Sequence, residues 1–124
     1  MKISHVNYSD DVGGASKAAH RISEALSHDG IDSRLVVANK ILNNKKTIQI
    51  SSKSHQLYSS IVRKAESYIA KRFLNTNESS LSIHPSNIAN SINSINSDIA
   101  HFHWVNAGYL SISDVAKVKK PKVW

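Results

Sequence analysis

The 124-residue sequence contains no cysteine. That excludes a disulfide framework, a thiolate nucleophile and a cysteine-ligated zinc site, and it fits an intracellular compartment. No long apolar run follows the start Met1-Lys2-Ile3-Ser4-His5, so neither a secretory leader nor a membrane span is expected, and the expected location is cytoplasmic. Acidic residues are scarce, 9 Asp+Glu against 16 Lys+Arg, and the formal charge is +7. The positive charge is not gathered on one stripe as phosphate-backbone binders require. It is spread, with local concentrations at Lys117, Lys119, Lys120 and Lys122 and at Lys53, Arg63, Lys64, Lys71 and Arg72. This pattern reads as a solvated basic surface, and no nucleic-acid partner is expected. What is present is the composition of a globular chain, 40% apolar and 20% charged, and the length allows one small domain. A cleft between two lobes is excluded for these residues alone.

Strands and helices alternate along the chain. Residues 2–6 predict a short strand that enters a polar loop over 7–14. Ala15, Ala18, Ala19, Ile22, Ala25 and Leu26 then recur at helical spacing, and Gly30 follows as a left-handed helix terminator. The apolar, β-branched run 33–38 predicts a strand buried on both faces. After a polar stretch with a short strand at 47–50, Leu57, Tyr58, Ile61, Val62, Ala65, Tyr68, Ile69 and Phe73 mark one face of a long helix over 54–74, which is expected to pack on the core. A loop over 75–85 leads to a helix N-capped by Ser86, a second buried strand over 98–104, and a helix opened by a capping box from Ser111 to Asp114. Residues 122–124 begin a further strand. The fold class is α/β, a Rossmann-like parallel sheet with helices on both faces. Ligands of such sheets bind at the carboxyl ends of the strands, which places the loops 7–14 and 104–110 on one functional edge.

Two segments on that edge could carry chemistry. Gly13-Gly14 precedes a helix N-terminus, where bare backbone and unpaired N–H groups suit a phosphate. The spacing matches neither a dinucleotide fingerprint nor a Walker loop, and a tight turn that needs glycine for its dihedrals explains it equally well. In His101-Phe102-His103-Trp104 the two histidines project to the same side of a strand. A metal pair completed by His5 is one reading. The other makes His101 a hydrogen-bonded core histidine and leaves only His103 to meet a ligand, and it is the better of the two. His20, His28, His55 and His84 have no partners in the pattern and are expected at the surface.

These residues carry a resemblance. The opening "ISHVNYSDDVGGASKAAHRISEALSHDGIDSRLVV" and the closing "SDIAHFHWVNAGYLSISDVAKVKKPKVW" resemble the N-terminal lobe of retaining, GT-B-type glycosyltransferases of family four, especially those that build bacterial exopolysaccharide and O-antigen. The resemblance is strong at both ends and weak over 39–80. It implies that Gly13 and Gly14 approach the diphosphate of a nucleotide-sugar donor. It also implies that His103 lies at the cleft floor as the candidate catalytic residue, with Trp104, Asn106 and Gly108 on the acceptor side. Such enzymes need no metal, in keeping with the lack of an Asp-x-Asp pair here, so no cofactor is expected. The implied partners are a nucleotide-sugar donor and a glycan or lipid-linked acceptor, with peripheral contact to the anionic inner face of the plasma membrane through the basic helix at 54–74.

Family members have a second, donor-binding lobe that this sequence does not contain. The expectation is an incomplete N-terminal lobe, from a truncated gene or a fragment, that does not transfer sugar by itself. Two other readings compete. One is a stand-alone flavodoxin-like module that holds a phosphorylated ligand at Gly13-Gly14; the other is a metal-dependent hydrolase that uses His5, His101 and His103.

Overall fold

The computed structural model describes residues 1–51, 53–69, 71–72, 86–105 and 109–124. In chain order the elements are β1 (Lys2–Ser9), α1 (Gly13–His28), β2 (Asp32–Asn39), β3 (Thr47–Gln49), α2 (Lys53–Ile69), α3 (Ile88–Ser94), β4 (Ile99–Phe102), α4 (Ile112–Lys117) and β5 (Lys122–Val123). The strands form one sheet in the order β3-β2-β1-β4-β5, and every pair is parallel. This is the α/β architecture expected from the alternation of elements. The order is that of a Rossmann sheet and not of a flavodoxin sheet, so the flavodoxin-like shape is corrected. Connections leave β1 in one direction and reach β4 in the other, which makes the β1/β4 boundary the topological switch point.

β1 lies at the centre and is longer than the sequence pattern suggested, because its polar residues find partners inside the protein. Side chains alternate across the sheet. On one face, Ala19 of α1 packs with Leu35 and Val37, and the Ser23 and Ser33 hydroxyls bond at 2.8 Å. On the other, Ile88, Ala89 and Ile92 of α3 and Val115 of α4 pack with Val6, Val36, Ala38, Ala100 and Phe102. Helices therefore cover both faces. α1 ends as Gly30 requires: its φ is +80°, the Gly30 N–H donates to the Ser27 carbonyl and the Ile31 N–H to the Leu26 carbonyl.

Two sequence expectations change. Asn87, not Ser86, occupies the N-cap of α3, and the Ser86 hydroxyl reaches the Ile88 N–H from one residue earlier, at 3.3 Å. The long helix forms over Lys53–Ile69, but Leu57, Tyr58, Ile61, Tyr68 and Ile69 are exposed. Core packing of that face is thus not borne out: no described residue of α2 belongs to either core cluster. The end of the expected helix and the loop 75–85 lie outside the described residues. Among the described residues, no helix is long and apolar enough to cross a membrane.

The capping box forms as expected and does more than cap. The Ser111 hydroxyl accepts from the Asp114 N–H, and the buried Asp114 carboxylate accepts from the N–H and hydroxyl of Ser111 and from the N–H and hydroxyl of Ser86. Burial pushes this carboxyl pKa up, and the hydrogen bonds from the two serines outweigh it, so the net shift is downward. One side chain thus ties the start of α4 to the start of α3. Asp114→Ala is expected to lower unfolding free energy by about 3 kcal/mol, because it strands four donors. Urea denaturation measures this, and a loss below about 0.5 kcal/mol contradicts it.

Candidate functional site

The carboxyl edge at the switch point is organised by residues for which the sequence reading gave no role. Asn7, near the end of β1, is fully buried. Its amide nitrogen donates to the Ser9 carbonyl at 2.7 Å and the Ser16 hydroxyl at 2.9 Å, and its amide oxygen accepts from the Trp104 N–H at 3.1 Å. One side chain thereby joins β1, the first turn of α1 and the end of β4. The Ser16 hydroxyl in turn lies within donating distance of two carbonyls, of Ser9 at 2.8 Å and Val12 at 2.6 Å. Asp10, also buried, accepts from the N–H groups of Ile41 and Leu42 at 2.7 and 3.1 Å, which binds the β1–α1 loop to the segment after β2. The sequence signal for these roles is a run of small polar residues, Asn7-Tyr8-Ser9-Asp10, set between an apolar strand and two glycines.

The loop that remains is short, because α1 begins at Gly13. Gly13 has φ +84°, a left-handed conformation that explains glycine there. Gly14 is different. It is not among the positive-φ glycines, and a Cβ added to it would meet nothing within 4 Å. Backbone conformation and packing among the described residues therefore do not call for glycine at 14, and its absent side chain leaves the helix N-terminus bare. The preceding Val12 occupies the N-cap and makes no side-chain hydrogen bond. The first N–H groups of a 16-residue helix are consequently open at the edge, with the positive end of its dipole.

The other half of the edge comes from β4. Its end is fixed to β1 by the His103 N–H to the Val6 carbonyl and the Tyr8 N–H to the Trp104 carbonyl, both 3.0 Å. Loops 7–14 and 104–110 thus meet as expected, at Tyr8 and Trp104. Trp104 is 41% exposed, and its ring stands edge-on to Tyr8 with ring centres 5.8 Å apart. Asn106 and Gly108, the other two acceptor-side candidates, lie outside the described residues.

The histidines are arranged differently from the favoured reading. His5 is the core histidine, with no exposed surface, while His101 and His103 are both half-buried. The register explains this: His5 lies directly opposite His101 on β4 and opposite Leu35 on β2, so strands flank it on both sides, and α1 packs on the same face. His5 Nδ1 and His103 Nε2 are 3.0 Å apart and share a hydrogen bond. The ring centres of His101 and His103 are 4.2 Å apart, and those of His5 and His101 5.1 Å. Burial, and the cost of charging rings that face one another, pushes the pKa values of His5 and His103 down to about 4, and burial also lowers that of His101. The trio is neutral at pH 7.

A cavity of about 820 Å³ lies at the opposite, amino end of the sheet, between the later turns of α1 and the turn Asn43–Lys46. Its lining includes none of Asn7, Asp10, Gly13, Gly14, His103 and Trp104. The basic tail is also partly structural: Lys120 reaches the Ile95 carbonyl and the Ser97 hydroxyl. Comparison with protein-family models, curated proteins and solved structures finds no match to this chain.

The neutral cluster makes stability fall in acid. With native pKa values of His5 and His103 lowered from 6.5 to about 4, the unfolded chain takes up protons first as pH falls. The stabilisation is complete above about pH 6.5 and is lost on the way down to about pH 4. In metal-free protein the unfolding free energy is expected to drop by about 3 kcal/mol across this window, after allowance for solvent screening at the half-buried His103. His103→Gln should flatten the slope clearly. Denaturation at a series of pH values tests this, and identical slopes for the two proteins contradict it.

Proposed function

We propose that this chain is the acceptor-side lobe of a nucleotide-sugar-dependent glycosyltransferase of the GT-B type, serving bacterial surface-polysaccharide synthesis, and that its ligands meet the β1/β4 edge. The observation that carries the reading is the bare α1 N-terminus at Gly13-Gly14, held at the switch point beside His103 and Trp104. In this reading the open N–H groups receive diphosphate oxygens, for which a helix N-terminus is suited in both charge and geometry. The half-exposed Trp104 ring offers an apolar face to a sugar. His103, neutral and with Nε2 engaged by His5, has Nδ1 left to meet a sugar hydroxyl. Asn7 and Asp10 are positioning residues: they hold the loop and the strand end in register and touch no substrate themselves.

Glycosyl transfer needs the donor held in line and the departing phosphate charge stabilised by fixed groups. In this reading a second lobe supplies most of them, and the isolated chain binds donor weakly and transfers nothing. The acceptor is a glycan or a lipid-linked sugar. In the lipid-linked case the exposed Leu57, Ile61, Tyr68 and Ile69 of α2, with the neighbouring Lys64, form the side that leans on an anionic membrane.

Amide NMR with UDP-glucose and UDP as probes tests the proposal. Millimolar binding that moves the amides of 11–16 and 103–105 is the expected result, with the effect lost in Gly14→Leu. Micromolar binding of UDP at the same amides favours the stand-alone phosphate-binding module instead. Shifts confined to α2 or to the cavity at the amino end, or none at all, overturn both.

A further inference from the structure

The sugar-transfer reading uses one nitrogen of His103 and leaves the rest of the histidine cluster without a task. His5, His101 and His103 each place a ring nitrogen within 4.8 Å of the others. His5 Nε2 is buried and has no hydrogen-bond partner among the described residues. Among the described residues the one hydrogen bond of the His5 ring, through Nδ1, is to another imidazole. Three imidazoles facing one another, where a single hydrogen bond joins two of them, hold more lone pairs than the protein uses.

We infer that His5, His101 and His103 form a binding site for a late first-row divalent cation, with Zn²⁺ as its natural occupant. The donor set is all imidazole nitrogen, which suits zinc and its neighbours and is unsuited to magnesium or calcium, whose ligands are oxygens. The geometry needs little adjustment. Two nitrogens on a tetrahedral zinc at about 2.0–2.1 Å are about 3.3 Å apart. His5 Nδ1 and His103 Nε2 are already 3.0 Å apart, so inserting a cation opens that pair by a few tenths of an ångström. His101 closes the remaining gap by side-chain rotation, which its half-buried position permits.

Backbone rigidity supports the site. Two ligands sit opposite each other in the β1/β4 register, and the third follows two residues later on a backbone N–H anchored to Val6. Three protein ligands leave a fourth tetrahedral position for water, and the half-exposed rings of His101 and His103 give solvent access to it. Inserting a cation moves the proton held in the His5–His103 hydrogen bond to the other nitrogen of its ring. Bound metal would brace β1 against β4. It would also compete for His103, so zinc should weaken any sugar contact that this ring makes. The site rests on β1 and β4 alone and does not depend on the transferase reading.

The test is calorimetric titration of the chain with Zn²⁺ at pH 7.5, alongside the visible absorption of the Co²⁺ form. The expected result is 1:1 binding at micromolar or tighter Kd and a tetrahedral cobalt spectrum. His101→Gln and His103→Gln should each weaken binding at least tenfold, whereas His20→Gln and His28→Gln, beside the distant cavity, should leave it unchanged. Ring NMR of the wild-type chain gives the same answer without any variant: Zn²⁺ should move the His5, His101 and His103 resonances together. Absence of 1:1 binding overturns the inference. So does binding that survives both cluster variants or that moves the rings of His20 and His28 instead.

Discussion

The arrangement of the carboxyl edge depends on one amide side chain. β1 must be central for the sheet to form, and its last residues must also release the chain into a helix that starts within four residues of the strand end. Buried backbone and side-chain groups at such a corner need partners. Asn7 supplies them in three directions at once, to its own strand end, to α1 and to β4. An aspartate there lacks the donors, and a leucine lacks both functions. The bare helix N-terminus and the Trp104 ring share an edge because this residue holds both.

The same strand carries the cost and the use of polarity. Ser4, His5, Asn7 and Ser9 are buried on β1, although Ile3 and Val6 are its only buried apolar residues. Burying so much polarity in the central strand does not favour stability. Natural sequences break the apolar rule where a site is built, and β1 breaks it at the switch point, where an α/β sheet receives its ligands. His5 is the extreme case, since it occupies a position where Val or Ile would pack without an orphaned nitrogen.

Much of the architecture was legible in the sequence, and the reasons are local. The β-branched run from Leu35 to Val37, the terminator Gly30 and the Ser111–Asp114 box each announce their structure through short-range physics. Parallel order followed from the alternation of elements. Less legible were contacts between residues far apart in sequence. Nothing near His5 says that it will lie opposite His101, so burial was assigned to the wrong histidine. Asp114 was read as one helix's cap, although it also holds Ser86, 28 positions away. The amphipathic pattern of α2 correctly gave a helix, but the expected packing of its apolar face on the core failed, since periodicity fixes which side is apolar and not what covers it. At the candidate site, Gly13, Gly14 and His103 were singled out from residue type and position and Trp104 through the resemblance, whereas Asn7 and Asp10 became visible only through their partners.

In the proposed function the switch-point edge, and not the cavity at the amino end, receives this protein's ligand. A crystal structure grown with a saturating nucleoside diphosphate sugar tests it most directly. Diphosphate oxygens are expected within hydrogen-bond reach of the N–H groups at the start of α1, with the sugar directed toward Trp104. Ligand lodged between α1 and the Asn43–Lys46 turn, or no ligand at the edge at saturation, would contradict it.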